Sequence, residues 1–145
     1  MYKFNKPLLY FNRGVKYQLV TAVQVSQIVH IHGPCRGGMH DKTMLEESGV
    51  LDLIQPGKLA AVDGGYIKQQ HADKLSWPNP HQDPVTHNFF SRCRLRHETA
   101  NGRMTFYRIL NDTFRHSIEK HGAAFTAVAV TSQYAFENGH PLFTV

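Results

Sequence analysis

Cysteine is scarce in this sequence: the 145 residues include only Cys35 and Cys93. The two are far apart and form no CxxC pair, which argues against a zinc finger. They could form one disulfide, but two reduced thiols are the better expectation for an intracellular protein. Long hydrophobic runs are also missing, because none approaches the roughly 20 residues that span a bilayer, and the amino terminus shows no signal peptide. No membrane partner is therefore expected.

Several catalytic signatures are absent as well. The chain has no GxSxG motif, no Walker loop and no HExxH motif, so serine hydrolase, P-loop and zincin chemistry are not indicated. Repeats, low-complexity tracts and Gly/Ser linkers are missing too. A single domain over residues 1–145 is the simplest interpretation.

Basic residues exceed acidic ones, 16 to 11, which gives a net charge of +5 and a pI near 9.4. This balance fits a protein that binds a polyanion but does not prove it. Ten histidines are present, and His30 and His32 alternate on one predicted strand face. A metal pair there is conceivable, although without an HExxH motif or a cysteine partner a zinc site is disfavoured.

The hydrophobic pattern predicts antiparallel strands at residues 16–25 and 27–32, with the pattern broken by the Gly- and Pro-containing residues 33–38. Asp41 is predicted to cap a helix at 42–47. Residues 59–62 are typical of a strand buried on both faces, and a short strand is suggested near 75–76. From about residue 88 onward the pattern favours long helices. This order predicts an α/β fold, whose active residues tend to lie at the carboxyl ends of strands.

Asp63 is the first candidate site residue, because it ends the buried strand and precedes Gly64 and Gly65. A carboxylate there would project from a rigid element into a crevice, and the glycines would let a metal or phosphate approach. Asp-Gly is also a common turn, which is the ordinary alternative.

Glu98 is the second candidate, on a predicted helix with Arg92, Arg94 and Arg96. The arginines could bind phosphates while Glu98 holds a metal ion. The alternative is a solvated helix face on which Glu98 pairs with Arg94 at i,i+4. Taken together, acids on a strand and on a helix could converge on divalent ions of the kind used by two-metal nucleases.

An ordered set of short segments resembles the DDE endonuclease domain of Harbinger-type transposases and their domesticated relatives. The resemblance covers nearly the whole chain and is strongest at Arg94–Arg103 (RLRHETANGR). Other matching segments are YKF at 2–4, GVKYQL at 14–19, IHGP at 31–34, GMHD at 38–41, VDGGY at 62–66, FRH at 114–116, FTAVAV at 125–130 and PLF at 141–143.

The resemblance implies an RNase H-like mixed sheet flanked by helices and makes Asp63 and Glu98 catalytic and metal-binding residues. Mg²⁺ or Mn²⁺ would be the cofactor and DNA the substrate, with Arg92, Arg94, Arg96 and Arg103 as nucleic-acid contacts. The implied reaction is metal-assisted phosphodiester cleavage and strand transfer. The alternative is a non-catalytic domesticated or decayed relative that binds metal, DNA or a partner protein.

The chain departs from the family pattern in three places. The family's first aspartate is expected before Tyr2, and no aspartate precedes Asp41. The sheet is therefore expected to lack its first strand, as in an amino-terminally truncated domain, and the chain alone is expected to show little nuclease activity. Thr105 stands near the family's usual lysine, and the family's helix-turn-helix is not visible. A homodimer, or a partner that supplies the missing strand, would be compatible with this expectation.

Overall fold

The computed structural model describes residues 2–4, 14–63, 71–78, 81 and 83–143. Within them lie the strands β1 (Tyr2–Phe4), β2 (Val15–Ala22), β3 (Ile28–Arg36), β4 (Ala60–Ala61) and β5 (Leu75–Ser76). The helices are α1 (Asp41–Glu47), α2 (Val50–Leu53), α3 (Pro84–Thr105), α4 (Arg108–Asn111) and α5 (Ile118–Glu137). The predicted α/β class is confirmed. None of the helices in these ranges is long and apolar enough to cross a membrane.

The five strands form one mixed sheet in the order β3-β2-β1-β4-β5. Strands β1, β2 and β3 are antiparallel neighbours, whereas β4 runs parallel to both β1 and β5. The carboxyl end of β4 therefore lies on the same edge of the sheet as the carboxyl ends of β1 and β5.

The prediction of a missing first strand is wrong. The short strand β1 occupies the centre of the sheet, where Tyr2 pairs with Ala22 of β2 on one side and with Ala60 of β4 on the other. A strand edge left open inside a sheet would expose unpaired N–H and C=O groups. Three residues are enough to pair part of both neighbouring strands.

The β2–β3 hairpin was predicted, but β3 extends further than its sequence suggested. The strand continues through Gly33 and Pro34 to Arg36, where a break was expected. Gly33 adopts a positive φ of 126°, and a Cβ atom there would lie 2.7 Å from the carbonyl oxygen of Lys16. Glycine is therefore required by the close approach of the two strands and does not end the pairing.

Each face of the sheet carries its own apolar cluster. On one face, α1 and α2 pack with Val20, Leu45, Ala60, Val62 and Leu75, and Trp77 packs against this cluster. On the other face, α3, α4 and α5 pack through a second cluster that includes Tyr17, Leu19, Met104, Phe125 and Phe136. Alternate residues of β2 supply both faces, as the two-residue period of a strand requires. The result is a sheet between two helical layers.

Helix α3 begins earlier than the predicted residue 88, and its start has a clear local cause. The Asp83 carboxylate accepts hydrogen bonds from the backbone N–H groups of Val85 and Thr86 at 2.9 and 3.0 Å, and Pro84 occupies the first turn. These are preferred residues for the two positions. Hydrogen bonds from Thr86 are the main cause that lowers the pKa of the Asp83 carboxyl below its ordinary value.

Gln18 is an unusual polar residue at the centre of the sheet, because it is fully buried and neither side-chain amide atom has a hydrogen-bond partner in the described part of the chain. An unsatisfied buried polar atom costs about 1–3 kcal/mol. We expect Gln18→Met, which keeps the length of the side chain, to raise the free energy of unfolding by about 1–2 kcal/mol. Urea denaturation followed by circular dichroism measures this change, and a loss of stability would contradict it.

Candidate metal and nucleic-acid site

Asp63 lies just past the carboxyl end of β4. The backbone N–H of Ala60 donates to the carbonyl of Lys74 at 2.8 Å, and that of Val62 donates to the carbonyl of Ser76 at the same distance. These bonds and the burial of Val62 fix the chain up to the residue before Asp63. Asp63 itself is partly exposed. The carboxylate is therefore carried by a rigid strand end, as the sequence predicted, while Gly64 and Gly65 lie outside the described residues.

Glu98 lies on the flank of α3. The buried residues of this helix follow a helical spacing that points at the sheet, with Phe90, Cys93, His97, Ala100 and Met104. His97 is fully buried, and its Nδ1 lies 3.2 Å from the Thr21 hydroxyl of β2. This contact fixes the rotation of α3 on the sheet. Glu98, one residue further along, is turned by about 100° out of the buried stripe.

Arg94 binds one of the two candidate acids and is influenced by the charge of the other. Its Nε donates to Oε1 of Glu98 at 2.8 Å, and both side chains remain more than half exposed. The Glu98 hydrogen bond and charge, followed by the charge of Asp63, raise the pKa of the Arg94 guanidinium above its ordinary value. Asp63 therefore lies within electrostatic range of Arg94, whereas Glu98 is the carboxylate that Arg94 binds directly. The exposed i,i+4 ion pair foreseen as the ordinary alternative for Glu98 is present.

The four arginines predicted to contact nucleic acid fall into two groups. Arg92 and Arg94 are exposed on α3. Arg96 instead donates to the backbone carbonyl of Val23, and its guanidinium carbon lies 3.7 Å from the centre of the Phe143 ring. Arg103 donates to the carbonyls of His140 and Pro141. The latter two arginines hold the segment after α5, a role that nothing in the local sequence signals.

The other residues that the sequence singled out, the cysteines, two histidines and Asp41, belong to no metal-binding group in the described residues. Both cysteines are buried and form no disulfide with each other. In the described ranges, no three His, Cys, Asp or Glu side chains come together as a metal-binding group, and His30 and His32 form no such centre. Asp41 begins α1 but does not cap it, because its carboxylate is bound by Lys16 instead.

The donor set around Arg94 fits a hard divalent cation. Mg²⁺ is commonly held by only one or two carboxylates, with water and substrate phosphates completing the shell. Asp63 and Glu98 supply such oxygens, and the guanidinium already drawn to Glu98 marks a place where positive charge is favoured. Two carboxylates and the exposed Arg92 and Arg94 are therefore the charged groups that this surface offers to a metal ion or a ligand.

Comparison with known protein families identifies one family that matches most of the chain. The family described as DDE superfamily endonuclease matches residues 2–132, and the chain belongs to this family. Membership indicates a transposase-type nuclease that acts on DNA with divalent metal ions. Searches of curated proteins and of solved structures returned no match.

Proposed function

We propose that this protein is a Harbinger-type DDE endonuclease domain in which Asp63 and Glu98 hold Mg²⁺ or Mn²⁺ for phosphodiester cleavage and strand transfer. The observation that carries the proposal is the family match over residues 2–132, which includes the strand-end carboxylate of Asp63 and the Arg94–Glu98 pair at 2.8 Å. The mixed sheet between two helical layers supports the proposed RNase H-like fold.

Each residue would have a distinct task. Asp63 and Glu98 would hold the metal, which when bound would activate the attacking water or hydroxyl and stabilise the leaving oxygen. Arg92 and Arg94 would bind backbone phosphates, and Arg94 would move from Glu98 to the DNA as the ion takes its place. Arg96 and Arg103 would act indirectly, because they fix the segment that follows α5.

The test is a calorimetric titration of the 145-residue chain with Mn²⁺. We expect Asp63→Asn to weaken Mn²⁺ binding at least about tenfold, because it removes one of two charged oxygen ligands. Asp112→Asn is the matched control, since Asp112 also sits in an exposed i,i+4 pair with an arginine, at 3.1 Å from Arg108. Equal Mn²⁺ affinity in the wild type and the Asp63 variant would refute the site.

A second candidate function is a non-catalytic relative that binds metal, DNA or a partner protein. This alternative is supported because no third acid joins Asp63 and Glu98 in the part of the chain that the structure describes. The two functions separate in one assay. Mn²⁺-dependent nicking of supercoiled DNA that is lost in Asp63→Asn supports the enzyme, whereas Mn²⁺ binding without nicking supports the non-catalytic relative.

A further inference from the structure

A groove of about 760 Å³ lies between the carboxyl end of α3, the start of α4 and the second half of α5. Its volume is within the range of small-molecule sites. Side chains of mixed chemistry line it, with aromatic, cationic and hydroxyl groups among them: Phe106, Tyr107, Arg108, Ser132 and His140. The groove shares no lining residue with the proposed metal surface.

Phe106 is the most exposed large apolar residue of those described, with 86% of its surface accessible. It follows α3 directly and forms part of the groove wall. Exposing a whole phenyl ring at a groove is unfavourable in water, because burial of such a side chain is worth about 1.5–3 kcal/mol. An exposed ring next to cations is a surface on which a nucleic-acid base can stack.

Ser132 supplies a second, independent observation. It is only 3% exposed, lines the groove, and its hydroxyl has no hydrogen-bond partner among the described residues. Helical hydroxyls in this protein normally donate to the carbonyl four residues earlier, as Thr131 does to Ala127 at 2.8 Å. The Ser132 hydroxyl does not, and because its oxygen has almost no accessible surface, a ligand in the groove would satisfy it only after a small shift of the groove wall.

Charge in the groove favours an anion. Arg108 uses Nε for Asp112, and an arginine has five N–H donors, so other donors of this exposed side chain can reach a phosphate. Arg103 adds positive charge and also builds the wall, because it donates to the carbonyls of His140 and Pro141. The Asp112 carboxylate is the opposing charge.

We propose that this groove binds one unpaired nucleotide of a nucleic-acid strand. The base would stack on Phe106, the phosphate would bind Arg108, and the Ser132 hydroxyl would donate to the base or sugar. The choice of a nucleic acid as ligand rests on the proposed function. The groove would extend the DNA contact beyond the Arg92–Arg94 surface.

Binding of a labelled short oligothymidylate, measured by fluorescence anisotropy at low salt in EDTA, tests the proposal. We expect Phe106→Ala to weaken binding about tenfold, because loss of one stacked base costs about that much, and Phe106→Trp to preserve it. Leu95→Ala is the matched control, since Leu95 is a 65% exposed apolar residue of α3 that does not line the groove. Unchanged binding in Phe106→Ala, or an equal loss in Leu95→Ala, overturns the proposal.

Ser132→Ala separates a ligand contact from a structural role. We expect it to weaken oligonucleotide binding several-fold while the melting temperature stays the same or rises, because a buried unsatisfied hydroxyl is removed. Asp112→Asn is expected to tighten binding, since it frees Arg108. A stabilised Ser132→Ala protein with wild-type affinity would overturn the proposal, as would preferential binding of an acidic peptide over the oligonucleotide. Because EDTA removes divalent ions, oligonucleotide binding at the groove is tested separately from Mn²⁺ binding at Asp63 and Glu98. A failed Mn²⁺ titration would therefore not refute the groove.

Discussion

Replacement of Lys16 by methionine is expected to lower the free energy of unfolding by about 3 kcal/mol, near the lower end of the cost of breaking a buried ion pair. Lys16 is 7% exposed on β2. Its ammonium group donates to the Asp41 carboxylate at the start of α1 and to the carbonyl of Met39 at 2.7 Å. Methionine would leave a partly buried carboxylate and a carbonyl without their cation.

The loss can be measured by urea denaturation followed through Trp77, the only tryptophan of the chain. Trp77 packs against the apolar cluster that contains Leu45 of α1, so its fluorescence reports on the layer that Lys16 holds. The double variant Lys16→Met/Asp41→Asn is expected to recover much of the loss, because no charge is left unpaired. A loss below about 1 kcal/mol, or a double variant no better than the single one, would contradict the assigned pair.

The Lys16–Asp41 pair also bears on the candidate site. The cluster under α1 contains Ala60 and Val62, the residues that lead into Asp63. A chain in which α1 is loosened should therefore hold Asp63 less firmly. Sites need their supporting residues to be as well placed as their ligands. Weaker Mn²⁺ binding is accordingly expected to accompany the lost stability of Lys16→Met.

Sequence periodicity predicted the parts of the fold that depend on local pattern. The β2–β3 hairpin and the long helices follow from two- and 3.6-residue spacing of apolar residues, and the buried strand before Asp63 follows from a short uncharged apolar run. Periodicity gave wrong predictions where a contact with a residue distant in sequence determines the local structure. Gly33 appeared to end a strand because the close approach of Lys16 is not visible locally. Asp41 appeared to be a helix cap because its partner, Lys16, is 25 positions away.

The same distinction applies to the site. The family resemblance and the strand-end position singled out Asp63, and i,i+4 spacing anticipated the Arg94–Glu98 pair. The spacing of arginines along α3 could not show that Arg96 and Arg103 bind backbone carbonyls 73 and 37 positions away. Ser132 was missed because the local sequence does not show that its hydroxyl lacks the usual helical partner.

Charge reversal at Arg94 has the largest effect that we expect on metal binding. Arg94→Glu removes the cation that competes for Glu98 and places a third carboxylate near Asp63 and Glu98. Changing a neighbour by two unit charges acts strongly on a doubly charged ion even in water, so Mn²⁺ affinity should rise roughly a hundredfold. Without metal, repulsion between the introduced carboxylate and Glu98 slightly weakens the helix, so Mn²⁺ should raise the melting temperature of this variant more than that of the wild type.

Arg108→Glu is the matched control, because Arg108 forms the equivalent exposed pair with Asp112 away from Asp63. Both variants lose the same charge, so both lower the protein's general attraction for DNA. Only Arg94→Glu acts at the proposed metal surface. A similar gain in Mn²⁺ affinity for both would mean that net charge alone controls the ion. No gain for Arg94→Glu would mean that Asp63 and Glu98 do not act on a common ion, because a cation between two ligands of one metal must oppose its binding.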